Sequence, residues 1–401
     1  MQRRHDLDWL RVIAFGLLVV YHVGMYYVTW DWHVKSPTTH PMLEPFMLLS
    51  GPWRMSLLFL ISGTATAFML GRTPARFLRR RSRQLLLPLL FGMAVIVPPQ
   101  SYYQVVEQLP GGYGESYLAF YAKYLGAYQG FCGADGDCLV LPTWNHLWFL
   151  PYLWAYTLAA WLLWRLLPAV ALERVRAWSA RALQGWGALL VPVALLAAAR
   201  LLLVARFEQT HALVDDWYDH AQYLTVFLIG FLAAFASGFW ESLQRLRWVA
   251  LALAAASYAL MIHSWYFAGY DDAHPVPLPL RLLLRAAWAV DQWCASAALL
   301  GFAYRWRDAG GPVLRSLTAA VFPLYILHQT VIVVLAHELK PARISALAEG
   351  ILLVAATYAL CLGAYELIRR VGWLRPLFGL KWMPAAAGDE RRRPATGSPL
   401  S

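Results

Sequence analysis

Ten stretches of this chain, each about the length of a membrane-crossing helix, are rich in apolar residues and poor in charge, and no other feature restricts the fold as much. They fall at about 8–29, 46–70, 84–103, 146–168, 187–205, 220–240, 248–268, 282–304, 316–336 and 345–368. A helix needs about 20 consecutive apolar residues to cross the hydrocarbon core of a bilayer, and every backbone polar group there must be paired within the segment. The expected fold is therefore all-α: a polytopic integral membrane protein with about ten transmembrane helices. Composition agrees, because 60% of the 401 residues are hydrophobic and 14% charged, whereas a soluble domain carries about 25% charged residues. The 20 Trp, 21 Tyr and 18 Phe also exclude an intrinsically disordered chain.

The formal charge of +11 suggests nucleic acid at first, but that reading needs a basic patch able to dock a duplex. Sorting Lys and Arg by side gives a simpler account. With the N-terminus cytoplasmic, the cytoplasmic segments hold 23 of these residues and the opposite segments 6, the bias of the positive-inside rule. Both termini are then cytoplasmic, in a multi-pass membrane protein with no nucleic-acid partner. The first apolar run follows Arg3 and Arg4, yet it lacks a small-residue cleavage site and carries Tyr21, His22, Tyr26 and Tyr27, so it reads as a retained helix and not as a cleaved signal peptide. Residues 1–382 form the membrane domain, and 383–401, low in hydrophobicity, read as a disordered cytoplasmic tail.

Cys132 and Cys138 bracket a short polar loop on the outer side, where a disulfide can persist. A metal site using Asp135 and Asp137 competes with that reading, although two carboxylates on so short a loop usually mark a solvated turn. Cys294 and Cys361 fall within spans and read as small core residues.

A charge inside a span costs about 2.5–3.5 kcal/mol on insertion scales, so each one is a functional candidate. Arg11 and His22 form the clearest pair, because eleven residues turn a helix by about 1100°, roughly 20° past three full turns, and rise about 16 Å. Both side chains lie on one face at different depths; a snorkelling arginine and an interfacial histidine would give the same pattern. In the second span, Ser62 and Gly63 would let a neighbouring helix or a ligand approach the backbone closely. Next, Arg76, Arg79, Arg80 and Arg83 share a helix face by their spacing. Six arginines between 72 and 83 exceed what topology requires, and guanidinium forks suit phosphate, so a phosphate-rich cytosolic ligand is expected there. His146 and Trp148 open the fourth span, Asp291 lies in the eighth, Tyr325 and His328 lie in the ninth beside Pro323, and Arg54 is a further pocket arginine. His263 and Glu366 read as packing or interfacial groups. The outer loops Trp30-Asp31-Trp32-His33, Asp215-Asp216-Trp217-Tyr218 and Tyr270-Asp271-Asp272 suit either an aromatic belt or the faces and hydroxyls of sugars.

Five segments in order carry a resemblance. Leu7-Asp8-Trp9-Leu10-Arg11 through Tyr21-His22 resembles an Arg-x10-His motif; Phe59 to Gly63, the arginine run into Leu85-Leu86-Leu87-Pro88, His146 to Pro151, and Phe322 to Gln329 complete the set. Together they resemble the type-3 membrane acyltransferase family, most closely its glucan-modifying branch, over about residues 5–370. The resemblance implies transfer of an acyl group, acetyl or succinyl, from cytosolic acyl-coenzyme A to a hydroxyl of an extracytoplasmic carbohydrate. It also implies that Arg11 and His22 are the essential pair. One departure is Thr64, where the family usually has Phe after Ser-Gly.

A neutral histidine can take a proton from an attacking hydroxyl, which makes His22 the expected general base. Arg11 would orient the donor or stabilise charge on the thioester oxygen. Arg76, Arg79, Arg80, Arg83, Ser62 and Gly63 are the expected donor site, and His146, Trp148, Tyr325, His328, Asp291 and Arg54 line the acceptor pocket. The expected partners are acyl-coenzyme A as co-substrate, the carbohydrate acceptor and the bilayer, with self-association left open. Neither a tightly bound cofactor nor a metal is expected. A secondary transporter or flippase of a sugar-like or lipid-linked substrate, relaying through Arg11, Asp291 and His328, is the alternative.

Overall fold

A computed structural model describes residues 3–382 except 73, 135 and 272; the expected tail at 383–401 and Asp135 of the disulfide loop lie outside them. Thirteen α-helices of nine or more residues run through the described residues: α1 (His5–Tyr27), α2 (Gly51–Arg72), α3 (Phe77–Phe91), α4 (Pro98–Gln108), α5 (Tyr117–Leu125), α6 (Phe149–Leu166), α7 (Ala169–Ala182), α8 (Gly187–Leu203), α9 (Trp217–Leu232), α10 (Ser237–Ile262), α11 (Leu278–Ala303), α12 (Pro312–Leu339) and α13 (Ala346–Ile368). A π-helical turn at Gly92–Ile96 joins α3 to α4, making one continuous helical segment from 74 to 108.

Helix covers most of each expected apolar run. By length and composition, seven helical segments can cross a membrane, or eight if α7 and α8, bent by 103°, are one broken span. The expected run at 220–240 is interrupted: α9 stops at Leu232, and α10 begins at Ser237 and continues through His263–Phe267. The 26-residue α11 is long enough but carries Asp291 and Gln292 buried in its middle.

Contacts between helix termini give the bundle two distinct ends. At one end, the His5 N–H donates to the Arg307 carbonyl at 3.0 Å, and the Arg4 guanidinium sits 4.2 Å over Trp240 and 5.0 Å over Tyr304. The starts of α1 and α10 therefore meet the end of α11. The arginine-rich start of α3 belongs to this arginine end. At the other end, the Tyr27 hydroxyl donates to Glu349 at 2.8 Å, and Glu107 accepts from His337 at 2.7 Å and Lys340 at 2.5 Å. A disulfide joins Cys132 and Cys138 in the loop after α5, so this is the disulfide end.

Small residues set how closely the helices approach. A Cβ on Gly63 would lie 2.0 Å from the Phe227 carbonyl oxygen, and one on Gly230 would lie 2.1 Å from the Leu60 oxygen; α2 and α9 thus cross backbone to backbone. Thr64 completes the crossing, its hydroxyl reaching the Leu60 and Gly230 carbonyls at 3.1 Å each. This corrects the expected donor role of Gly63: the backbone of α9 occupies the space a ligand would need. Ser62, its neighbour, stays half-buried. The departure at Thr64 has the same physical basis, because a bulky Phe there could neither fit against α9 nor make these hydrogen bonds.

Candidate functional site

Two histidines from distant parts of the sequence meet inside the bundle. His22 on α1 and His328 on α12 stack with ring centroids 5.0 Å apart and planes 17° apart, and His22 Nδ1 lies 2.8 Å from His328 Nε2. His328 Nδ1 lies 2.8 Å from the Tyr325 carbonyl of its own helix. A carbonyl only accepts, so His328 Nδ1 carries the proton and its neutral Nε2 accepts from His22 Nδ1–H. The lone pair of His22 then sits on Nε2, which makes no hydrogen bond to the described protein. A fixed tautomer with a free basic nitrogen is the arrangement that general-base chemistry requires.

Around this pair the walls are polar and ordered. The Arg54 guanidinium, on α2, lies 3.8 Å over the Tyr21 ring, itself 5.7 Å from His22; its Nε is buried without a partner. Gln329, next to His328, donates to Gln100 at 3.0 Å and to His33 Nε2 at 2.9 Å. His33 Nδ1 in turn donates to Gln104 at 2.6 Å. Burial pushes the His33 imidazole below its usual range, opposed by that bond to Gln104. His146 lies 5.2 Å from His328 by ring centroid, yet both its nitrogens are engaged, Nε2 by the Ile326 carbonyl at 3.1 Å and Nδ1 by Gln100 at 3.3 Å. The Tyr325 hydroxyl donates to the His146 carbonyl at 2.7 Å. His146 and Tyr325 thus hold α12 against the start of α6.

A second polar cluster adjoins the aromatic wall. Trp148 stacks on His211 at 4.1 Å, and His211 Nε2 is 3.5 Å from Asp219. Asp219 accepts from Gln209 at 2.5 Å and Gln222 at 2.6 Å, while Asp216 accepts from Tyr152 at 2.5 Å and the His211 N–H at 2.9 Å. Burial lowers His211 to about 4, against the pull of Asp216. Gln292 ties the cluster to α2 and α9 through Ser56 at 2.7 Å and Gln222 at 2.9 Å. Its neighbour Asp291 is buried with Oδ2 unpartnered and has no hydrogen bond to the histidine pair.

Each end of the bundle has a cavity. At the arginine end, Arg76, Arg79, Arg80 and Arg83 line one of about 1260 Å³ together with Pro376, Gly379, Leu380, Lys381 and Trp382. Arg11 faces this end: it pairs with Asp8 at 3.2 Å, and its Nε and that of Arg81 are buried without partners. At the disulfide end, Asp31, Trp32, His33, Gln104, Gln108 and Asp137 line a cavity of about 490 Å³ whose wall includes Cys132 and Cys138. Through His33 and Gln329 this cavity adjoins the histidine pair.

The structure therefore gathers His22, His328, Arg54, Tyr325 and His146 in one region and the four outward arginines around one cavity, with Arg11 near that end, away from His22. Trp148 belongs to the wall built on His211 and Asp219. Sequence reasoning did not single out Gln100, His211, Asp219 or Arg81, and it named Gln329 only as the end of a motif, with no role at the site. Gln329 directly follows His328 and was the most accessible of these signals.

The chain can now be set beside known proteins. A family model described as an acyltransferase domain matches residues 4–366. The chain belongs to this family, the type-3 membrane acyltransferases. Among curated proteins it is similar to glucans biosynthesis protein C of Escherichia coli strain K12 and to the proteins of that name from strains SMS-3-5 and O1:K1 / APEC, each 27% identical over 152 residues, 37% of this chain and 36% of the relative. The chain thus spans little more than a third of the length of these relatives. No solved structure matches it.

Proposed function

We propose that this membrane acyltransferase moves an acetyl or succinyl group from acyl-coenzyme A, bound at the arginine end, to a carbohydrate hydroxyl presented at the disulfide end. The observation that carries the reading is the His22–His328 pair, with its tautomers fixed by the Tyr325 carbonyl. His22 Nε2 takes the proton of the acceptor hydroxyl as its oxygen attacks the thioester carbonyl. His328 accepts the Nδ1–H hydrogen bond of the imidazolium that forms. The tetrahedral intermediate collapses to an ester, the C–S bond breaks, and the proton passes from His22 to the departing thiolate. Arg54, beside Tyr21 and His22, is the guanidinium placed to stabilise the oxyanion. Arg11, paired with Asp8 at the donor end, guides the donor.

The phosphates of coenzyme A suit the cavity of Arg76, Arg79, Arg80 and Arg83, because guanidinium forks bind phosphate oxygens in pairs. The acceptor suits the smaller cavity, where Trp32 offers a face for a sugar ring and Asp31, Gln104, Gln108 and Asp137 offer hydroxyl partners. A glucan is the acceptor indicated by the relatives' name. The excess of Lys and Arg at the arginine end supports a cytoplasmic donor side, and a bacterial inner membrane is the setting that suits this reading. The transporter alternative relayed charge through Arg11, Asp291 and His328; the hydrogen bonds of His328 lead to His22 and Tyr325 instead.

Mass spectrometry of glycans tests the reading. Proteoliposomes supplied with acetyl- or succinyl-coenzyme A and a glucan should yield a glucan heavier by one acyl group and an equal amount of free coenzyme A. Movement of unmodified glucan across the bilayer without either product would support transport instead.

A further inference from the structure

Three arginines stand apart from both the histidine pair and the arginine end. Arg200 on α8 and Arg281 and Arg285 on α11 line a separate cavity of about 370 Å³, together with Trp265, Tyr270 and Asp271. It lies at the disulfide end, because α11 finishes beside the start of α1 and therefore begins at the opposite end. Arg200 and Arg285 fall within apolar runs at 187–205 and 282–304, where an unpaired cation is costly and marks a functional candidate.

None of the three forms an ion pair with a carboxylate among the described residues. Arg200 Nη1 donates to the Tyr218 hydroxyl at 2.5 Å, its guanidinium lies 4.2 Å over Trp288, and its Nε is buried with no partner. Arg281 donates to the Val276 carbonyl at 3.0 Å. Asp271 is engaged by His274, whose backbone N–H donates to it at 2.6 Å and whose ring lies 3.2 Å away. Three guanidiniums facing one engaged carboxylate leave the cavity positive, with planar donor forks suited to phosphate oxygens. Phe267, Leu278 and Leu283, each within two residues in the sequence of a residue that lines it, are 60%, 62% and 51% exposed and offer an apolar collar for acyl chains.

We propose that this cavity binds a phosphoryl anion, and the collar points to the phosphodiester headgroup of an anionic membrane phospholipid as its source. A soluble phosphate monoester is the other source with the same chemistry. The occupant would tie α8 to α11 and, through Tyr218, to the helix that carries Asp219. The site is independent of the transfer chemistry and stands or falls separately from it.

Native mass spectrometry of the full chain in neutral detergent tests it, with phosphatidylglycerol, phosphatidylcholine and glycerol 3-phosphate as probes. Arg200 has buried contacts and its replacement can disturb folding, so the primary variant is Arg281→Gln with Arg285→Gln. The wild type should retain phosphatidylglycerol over phosphatidylcholine, and the double variant should bind it about tenfold more weakly, the loss expected for charged hydrogen bonds. The control Arg174→Gln with Arg176→Gln, on α7 and outside the cavity lining, should bind like the wild type. Glycerol 3-phosphate binding that is lost in the same double variant supports the site with a soluble source. Equal retention of both lipids without glycerol 3-phosphate binding, an unchanged double variant, or an equal loss in the control would overturn the proposal.

Discussion

His22 Nδ1 lies 2.8 Å from His328 Nε2, and that contact decides which nitrogen of His22 can act as a base. His328→Gln should lower kcat by roughly 10–100-fold, because Gln cannot reproduce the ring stack or the fixed tautomer. Donor and acceptor KM should change little. Steady-state kinetics with both substrates varied checks this; an unchanged kcat would remove His328 from the reaction.

Arg79→Gln combined with Arg80→Gln should raise the donor KM about tenfold, the scale of one or two lost charge-assisted hydrogen bonds, with kcat near that of the wild type. The same variant assayed over a range of acceptor concentrations should show an unchanged acceptor KM. An unchanged donor KM would place coenzyme A elsewhere.

Gly63→Ala should destabilise the protein by about 1–3 kcal/mol, the cost of overpacking. The added Cβ would meet the Phe227 carbonyl oxygen at 2.0 Å, and backbone cannot move aside as a side chain can. Gly71→Ala, with nothing within 4 Å of its Cβ, is the control. Thermal melting in detergent should show a lower midpoint for the first variant and an equal or higher one for the second.

Acid should weaken the fold through His211, which burial holds at about 4 against about 6.5 in an unfolded chain. Between those values the unfolded state binds a proton that the folded state does not, so stability falls as pH drops from about 6.5 to 4. Above pH 7 this group contributes no slope. His211→Gln should flatten the dependence of melting temperature on pH in that window, and an equally steep slope would show that other groups dominate.

Much of the architecture was legible because a bilayer leaves so few options. Apolar runs gave the helices, and the spacing of Arg76, Arg79, Arg80 and Arg83 gave the cavity they line. The break at residues 233–236 was not legible, since Ala233, Phe235 and Ala236 are as apolar as the helix they interrupt. His22 and His328 were each singled out, yet nothing in a single sequence pairs residues 306 positions apart. Asp216 reads as part of an aromatic and acidic outer loop and Asp219 carries no signal of its own, and only the buried Tyr152 and Gln222 beside them reveal an interior cluster. Arg11 and His22 share a helix and a motif, but the rise that separates them puts one at each end of the proposed reaction path.

The most direct test of the central claim is acyl transfer by His22→Ala in proteoliposomes, followed as acylated glucan and free coenzyme A, with a melting curve to confirm folding. General-base catalysis predicts a loss of about 10²–10⁴-fold in turnover at an unchanged melting temperature. A folded His22→Ala variant that acylates glucan at a rate close to the wild type's would contradict the role assigned to the histidine pair.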